Sequence, residues 1–215
     1  MSLKSDIQGF DISSKSAVVV GCGGLGTNAS VHLAGAGIGR LLLIDFDSVE
    51  ERNLNRQYFY TKEDTGIEKA RLLAERLKAY APEVEIEYKS SRFEDSYING
   101  YDIVIVAVDN IDTRAQVNAC CKKAGIPCVN GSINGFFGTA YLFIPGKTPD
   151  FEAAGCLNET GNKNKSPSTT AAIIGAFESQ LAIDYFLGKT ESAGKLYIYD
   201  NNEIHKLEIR SEKID

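Results

Sequence analysis

Histidine is almost missing from this chain: His32 and His205 are the only two in 215 residues. Imidazole acid–base chemistry therefore has few candidates. His32 falls in a helical stretch and His205 in an alternating C-terminal strand, positions that read as structural or exposed. Cysteine is also scarce. Cys22, Cys120, Cys121, Cys128 and Cys156 include no C-x-x-C pair, which leaves a tetrahedral thiolate site unsupported, and no zinc is expected. Cys120 and Cys121 are adjacent on a predicted helix, where neighbouring side chains diverge, so no disulfide is expected of them. No run of basic residues occurs, and a net charge of −6 with pI ≈ 5.1 argues against nucleic acid as a partner. The N-terminus has no apolar region of signal type, and the longest apolar stretches are broken by glycines, Arg40 or aspartates. No membrane span and a cytoplasmic location are the expectations. The length suits one substantial core, and residues 1–215 read as a single domain.

What is present begins with a glycine fingerprint, Gly21-Cys22-Gly23-Gly24-Leu25-Gly26. Val18, Val19 and Val20 run apolar into Gly21 as a buried parallel strand should, and Leu25 to Ala36 has helical composition. A loop between strand and helix suits phosphate: Gly21 permits the tight turn, Gly23 lets backbone approach the anion, and Gly26 lets helix pack on strand. Arg40 to Ile44 reads as the next buried strand, with Asp45 at its C-terminal end placed to accept hydrogen bonds from ribose hydroxyls.

Up to this point an ordinary NAD-binding domain is the simplest reading. The next segment changes it, because Asp45, Asp47, Glu50, Asn53, Arg56 and Lys69 crowd one strand edge. A nicotinamide pocket has little need of that charge. A triphosphate with Mg²⁺ does, since Arg and Lys neutralise the outer phosphates while a carboxylate holds the metal. Tyr185 and Lys189 have dehydrogenase-like spacing, but Gly188 reads as a helix stop that puts the lysine beyond the last turn. Farther along, Asp109 follows the apolar run Ile103-Val104-Ile105-Val106, where ligands gather in an open parallel sheet. Asp109, Asn110 and Asp112 are also N-cap residue types for a helix starting near Ile111, so capping and ligand binding can fall to different members of this group.

The remaining pattern is α/β. A helix is predicted over Glu68 to Tyr80, a strand over Val84 to Tyr88, a strand over 102–107, a helix over 111–124 and a strand over 127–130. This is the grammar of a Rossmann-like, doubly wound, mostly parallel sheet. Past Asn130 it changes: Phe136 to Ile144, 195–199 and 203–209 read as strands of an antiparallel C-terminal extension, with Asn201-Asn202 at the last turn. Thr169 to Leu187 is a long apolar helix, suited to a core or to a subunit interface. Pro145 to Pro167 is rich in Gly, Asn, Lys, Ser and Pro and reads as a mobile loop.

Four landmarks together carry a family resemblance: GCGGLG at 21–26, LLLIDFDSVEERNLNRQ at 41–57, the step from Gly66 to Lys69, and Ala107-Val108-Asp109-Asn110. The chain resembles the ThiF/MoeB/HesA family, bacterial relatives of ubiquitin-activating enzymes, over most of its length. The resemblance implies an adenylyltransferase that uses ATP and Mg²⁺ on the C-terminal diglycine of a small ubiquitin-like sulfur-carrier protein, releasing pyrophosphate, in thiamine or molybdopterin biosynthesis. It implies nucleotide contacts from Gly21, Gly23, Gly24, Gly26, Asp45, Asp47, Asn53, Arg56, Gln57, Lys69, Asp109 and Asn110, with Asp109 as the magnesium-linked aspartate. It further implies a homodimer, and a crossover loop at about 145–168 that drapes over the partner's tail and orders when the partner binds.

Direct attack by a carboxylate on the α-phosphorus, already ionised at neutral pH, needs no general base and fits a chain poor in histidine. Arg56, Lys69 and Mg²⁺ at Asp109 are then the catalytic groups. Cys156, in the loop, is the one cysteine placed to accept an acyl group or form a persulfide. Its position aligns better with a zinc ligand of relatives, and their nucleophile position reads Ser166-Pro167-Ser168. Relatives often carry an N-terminal arginine arm, whereas here only Lys4 and Lys15 precede the first strand. Two other functions stay open: a sister enzyme adenylating a nucleoside or peptide carboxylate, and an NAD-binding or regulatory protein without adenylation activity.

Overall fold

The computed structural model describes residues 10–158, 165–200 and 202–209. Lys4, residues 159–164 of the predicted loop and Asn201 of the predicted turn lie outside the described residues.

Three βα units come first. Strand β1 (Ser16–Val20) leads through the glycine loop into helix α1 (Gly24–Gly35) and then β2 (Arg40–Ile44). Helix α2 (Lys69–Tyr80) returns the chain to β3 (Glu85–Lys89). Strand β4 (Ile103–Val106), helix α3 (Ile111–Ala124) and β5 (Cys128–Asn134) follow. The second half holds β6 (Phe137–Phe143), α4 (Ser168–Phe186), β7 (Lys195–Asp200) and β8 (Glu203–Glu208). All eight strands form one sheet in the order β3-β2-β1-β4-β5-β6-β7-β8. The first five in that order pair parallel and the last three antiparallel. This is the doubly wound sheet with the predicted extension.

Strands β1 and β4 are apolar on both faces because helices cover both. Ala17 and Val19 pack with Leu33 and Leu73 on one side; Val18 and Val20 pack with Val117 and Cys121 on the other. Strand β5 runs past the predicted end at Asn130. Gly131-Ser132 looks turn-like as sequence, yet its pairing with β6 carries the strand on to Asn134 opposite Phe137. Gly135 (φ +61) and Phe136 make the connection, too tight for most side chains at the glycine. Helix α4 crosses α1 so closely that a Cβ on Gly175 would lie 2.6 Å from Asn28 Cβ. It ends at Phe186, and Gly188 (φ +74) leaves Lys189 beyond the helix, as the sequence predicted. No helix among the described residues is long and apolar enough to cross a membrane.

Candidate active site

The site is built where β1, β2 and β4 end side by side: Val20 is in register with Ile44 on one side and Val106 on the other. Gly21 turns the chain with φ +97, and a Cβ there would meet Ala107 O at 2.6 Å. A Cβ on Gly26 would fall 1.8 Å from Gly21 O, so the helix sits directly on the loop. Gly23 is the N-cap of α1, without a side-chain cap and with no acidic residue in the first turn. The orphan N–H groups and the positive end of the helix dipole are left for an external anion.

Asp45 closes the loop from the side. Its Oδ2 accepts the Cys22 N–H at 2.6 Å and its Oδ1 accepts the Asp47 N–H at 2.8 Å. Burial raises the Asp45 pKa above the usual carboxylate value, and the two backbone hydrogen bonds work against that.

Lys69 arrives by backbone pairing. The Val49 N–H donates to Ile67 O at 2.8 Å, the Gly66 N–H to Val49 O at 2.9 Å and the Lys69 N–H to Asp47 O at 3.0 Å. This fixes the first residue of α2 beside the end of β2. The Lys69 side chain is buried, and its ammonium lies 3.2 Å from Asp47 Oδ2. Arg56 crosses the start of α1: its carbonyl lies 3.1 Å from where a Gly24 Cβ would be. Its guanidinium donates to Asn55 Oδ1 and Asn53 Oδ1, each at 3.2 Å. Gln57 is buried with its Nε2 facing Gly23, and its Oε1 has no hydrogen-bond partner among the described residues.

At the end of β4 the capping role falls to Asn110, which leaves the Asp109 carboxylate out of the cap. Asn110 is the N-cap of α3, its Oδ1 accepting the Thr113 N–H at 2.8 Å and the Thr113 hydroxyl at 3.1 Å. Asp109 is exposed at the strand end and interacts electrostatically with the Arg114 guanidinium. The uncapped helix end, the glycine cradle, the two cations and this exposed carboxylate suit a nucleotide with its metal ion.

Three residues that sequence reasoning passed over support the site. Tyr60, buried, donates its hydroxyl to Cys22 O at 2.8 Å and reaches Lys69 O at 3.4 Å. Arg114, buried, donates Nε to Val108 O at 2.8 Å and Nη1 to Ser132 Oγ at 3.5 Å. Glu178, fully buried on α4, presses its carboxyl onto Gly131, where a Cβ would lie 2.4 Å from Glu178 Cδ. Burial pushes the Glu178 pKa well up, with Arg114 and the Gly131 N–H pulling the other way. The signals for them are slight: a carboxylate within the apolar helix α4 for Glu178 and an aromatic within a charged block for Tyr60, while Arg114 on the polar helix α3 has none.

Cys156 does not join this cluster of charges. It is 8% exposed, packed with Cys128, Phe151 and Ala154, and burial pushes its thiol up to about 12 against a smaller opposing effect of Arg114. The segment expected to be a mobile loop, with almost no apolar periodicity, is anchored by Phe151, fully buried edge-on to Tyr141 and Phe143. A single aromatic plug makes no periodicity, so the sequence pattern missed it. The far end of the segment returns to the site, where Ser166 O accepts the Asn55 Nδ2–H at 3.5 Å.

Fold and site together define a nucleotide-binding protein of the doubly wound class, with its phosphate cradle between β1 and α1. The chain belongs to the ThiF family, whose model matches residues 8–214. A sulfur carrier protein adenylyltransferase of Thermus thermophilus is 34% identical over 217 residues, covering 91% of this chain and 79% of that protein. A SAMP-activating enzyme E1 of Haloferax volcanii is 33% identical over 213 residues, covering 90% and 75%. The crystal structure of E. coli MccB with ATP aligns with a TM-score of 0.83 at 23% identity, covering 94% of this chain and 66% of that one, a likeness of fold.

Proposed function

We propose that this protein is an ATP-dependent adenylyltransferase that activates the C-terminal carboxylate of a small ubiquitin-like sulfur carrier. The observation that carries the reading is the uncapped start of α1 flanked by Arg56, Lys69 and Asp45, with both histidines on exposed surfaces away from it. The family and the sulfur-carrier adenylyltransferase of T. thermophilus favour the same reaction.

The carrier carboxylate forms a bond to the α-phosphorus, the bond from that phosphorus to pyrophosphate breaks, and pyrophosphate leaves with the electron pair. The attacking group is ionised at neutral pH, so the protein has no proton to remove. Its work is placement and charge. Asp45 orients the ribose, the N–H groups from Gly23 to Gly26 hold phosphate, and Asn53, Gln57 and Asn110 frame the site. Arg56 and Lys69 balance the charge that grows on pyrophosphate. Asp109 is the group that would hold Mg²⁺, which supplies phosphate charge neutralisation when bound. Cys156 has no part in this step.

We assign the half-exposed face of α4 and the neighbouring face of the β7–β8 hairpin, with Ile173, Phe177, Tyr199 and Ile204, to contact between two copies in a homodimer. Cytoplasmic work follows from the nature of such a partner. ATP–pyrophosphate exchange tests the reading: exchange that requires a diglycine-ended carrier and disappears in Asp109→Ala supports it. Exchange with a nucleoside or a short peptide carboxylate in place of the carrier assigns the sister activity, and no exchange together with NAD binding rejects it.

A further inference from the structure

The glycine loop is useful only if its N–H groups face the nucleotide, and one peptide in it is set by a residue outside the loop. The Cys22 carbonyl accepts the Tyr60 hydroxyl at 2.8 Å and the Thr27 hydroxyl at 3.2 Å. Carbonyl and N–H point in opposite directions across a trans peptide. With the Cys22 carbonyl held toward the buried Tyr60, the Gly23 N–H is held away from it, on the side left open by the missing helix cap.

Tyr60 is itself fixed. Its N–H donates to Gln57 O at 3.0 Å, Arg76 donates to the carbonyl of Phe59, and Arg76 pairs with Asp64 at 2.7 Å. Its hydroxyl also lies 3.4 Å from Lys69 O, at the first residue of α2. One buried phenol thus spans the peptide that precedes the phosphate donor Gly23 and the helix start that carries the cation Lys69.

We infer that Tyr60 is a positioning residue for phosphate: its hydroxyl orients the Cys22–Gly23 peptide so that the Gly23 N–H donates to the nucleotide's phosphate chain. The inference rests on the ATP-binding reading of the site but not on the identity of the acceptor. Without the Tyr60 hydroxyl the Cys22 carbonyl keeps only the longer bond from Thr27 at 3.2 Å, so the peptide turns more easily, and a turned peptide offers the phosphate a carbonyl instead of an N–H.

The test is calorimetric titration of wild type and Tyr60→Phe with MgATP and, separately, with adenosine, which has no phosphate. Tyr60→Phe keeps the ring and its packing. Losing the one hydrogen bond predicts MgATP binding weaker by about three- to tenfold, with adenosine binding unchanged and the KM for the carrier unchanged in exchange assays. Thr27→Val removes the second donor to the same carbonyl, and the double variant should lose more than either single one. Equal weakening toward ATP and adenosine would mean a general structural role and overturn the inference, as would unchanged ATP affinity. Wild-type protein that binds ATP but shows no exchange rejects the adenylation reading while the two titrations still decide the role of Tyr60.

Discussion

Asp45 and Cys22 are tied across neighbouring strand ends, the carboxylate Oδ2 accepting the Cys22 N–H at 2.6 Å. The same carboxylate is the group assigned to the ribose, so loop shape and nucleotide binding share one side chain. Asp45→Ala should weaken MgATP binding by roughly ten- to a hundredfold, the scale of a hydrogen bond to a charged group. Calorimetry measures this. Because burial raises its pKa, wild-type ATP affinity should begin to fall with acidification at a pH above the ordinary Asp value of 3.8. An affinity that holds level down to that value would contradict the assignment.

Asp64 anchors the segment that carries Arg56 and Gln57. It accepts from Arg76 Nη2 at 2.7 and 2.9 Å and from the Thr61 N–H at 2.6 Å. Burial acts to raise its pKa, but these hydrogen bonds win and hold it below 3.8. A depressed folded pKa gives stability that is complete above the unfolded value and lost as pH falls through the folded one. Asp64→Asn should therefore cost about 1–3 kcal/mol at pH 7. The deficit should shrink below pH 3.8, as urea unfolding across pH would show.

Glu178 has the opposite sign. Fully buried, with neither oxygen in a well-formed hydrogen bond, it has a pKa raised well above 4.5. The folded state holds its proton longer than the unfolded chain, so this group's contribution falls as pH rises above 4.5. Glu178→Gln should leave stability unchanged in acid and raise it by on the order of 1–3 kcal/mol at pH 8. At about 2–4 °C per kcal/mol for a domain of this size, a thermal melt resolves the gain. A lower Tm at pH 8 would show that the ionised form is the native one.

Gly26 permits the closest approach in the loop. A methyl there meets Gly21 O at 1.8 Å, a backbone atom with no rotamer to change. Gly26→Ala should destabilise by about 3 kcal/mol and abolish measurable ATP binding, because helix and loop must separate. Gly37→Ala, whose Cβ meets nothing within 4 Å, carries only the φ +81 strain and serves as the comparison.

How much of this was legible in the sequence varies with how local the cause is. Val18–Val20, the glycines and Asp45 follow from strand periodicity and a motif with a mechanical reason, and the structure places them at one strand edge. The charged block at 45–69 is equally readable, because its excess charge needs a partner. The full extent of β5 is not, since only β6 makes Gly131-Ser132 a strand. Tyr60, Arg114 and Glu178 were missed for a related reason. Tyr60 acts on Cys22, 38 residues away, Glu178 on Gly131 of another element, and Arg114 on Ser132 as well as on nearby Val108, and no periodic pattern records such pairings. Phe151 turns a segment of loop composition into a packed one with a single buried ring.

The measurement that bears most directly on the central claim follows the label from ATP. Protein, Mg²⁺ and a diglycine-ended carrier are incubated with ATP labelled at the α- or the γ-phosphate, and the carrier is then isolated in acid. The account predicts α-label on the carrier as an acyl-adenylate, γ-label only in pyrophosphate, and loss of both signals in Lys69→Met. Label from the γ-phosphate on the carrier, or phosphate release with an unmodified carrier, would contradict it.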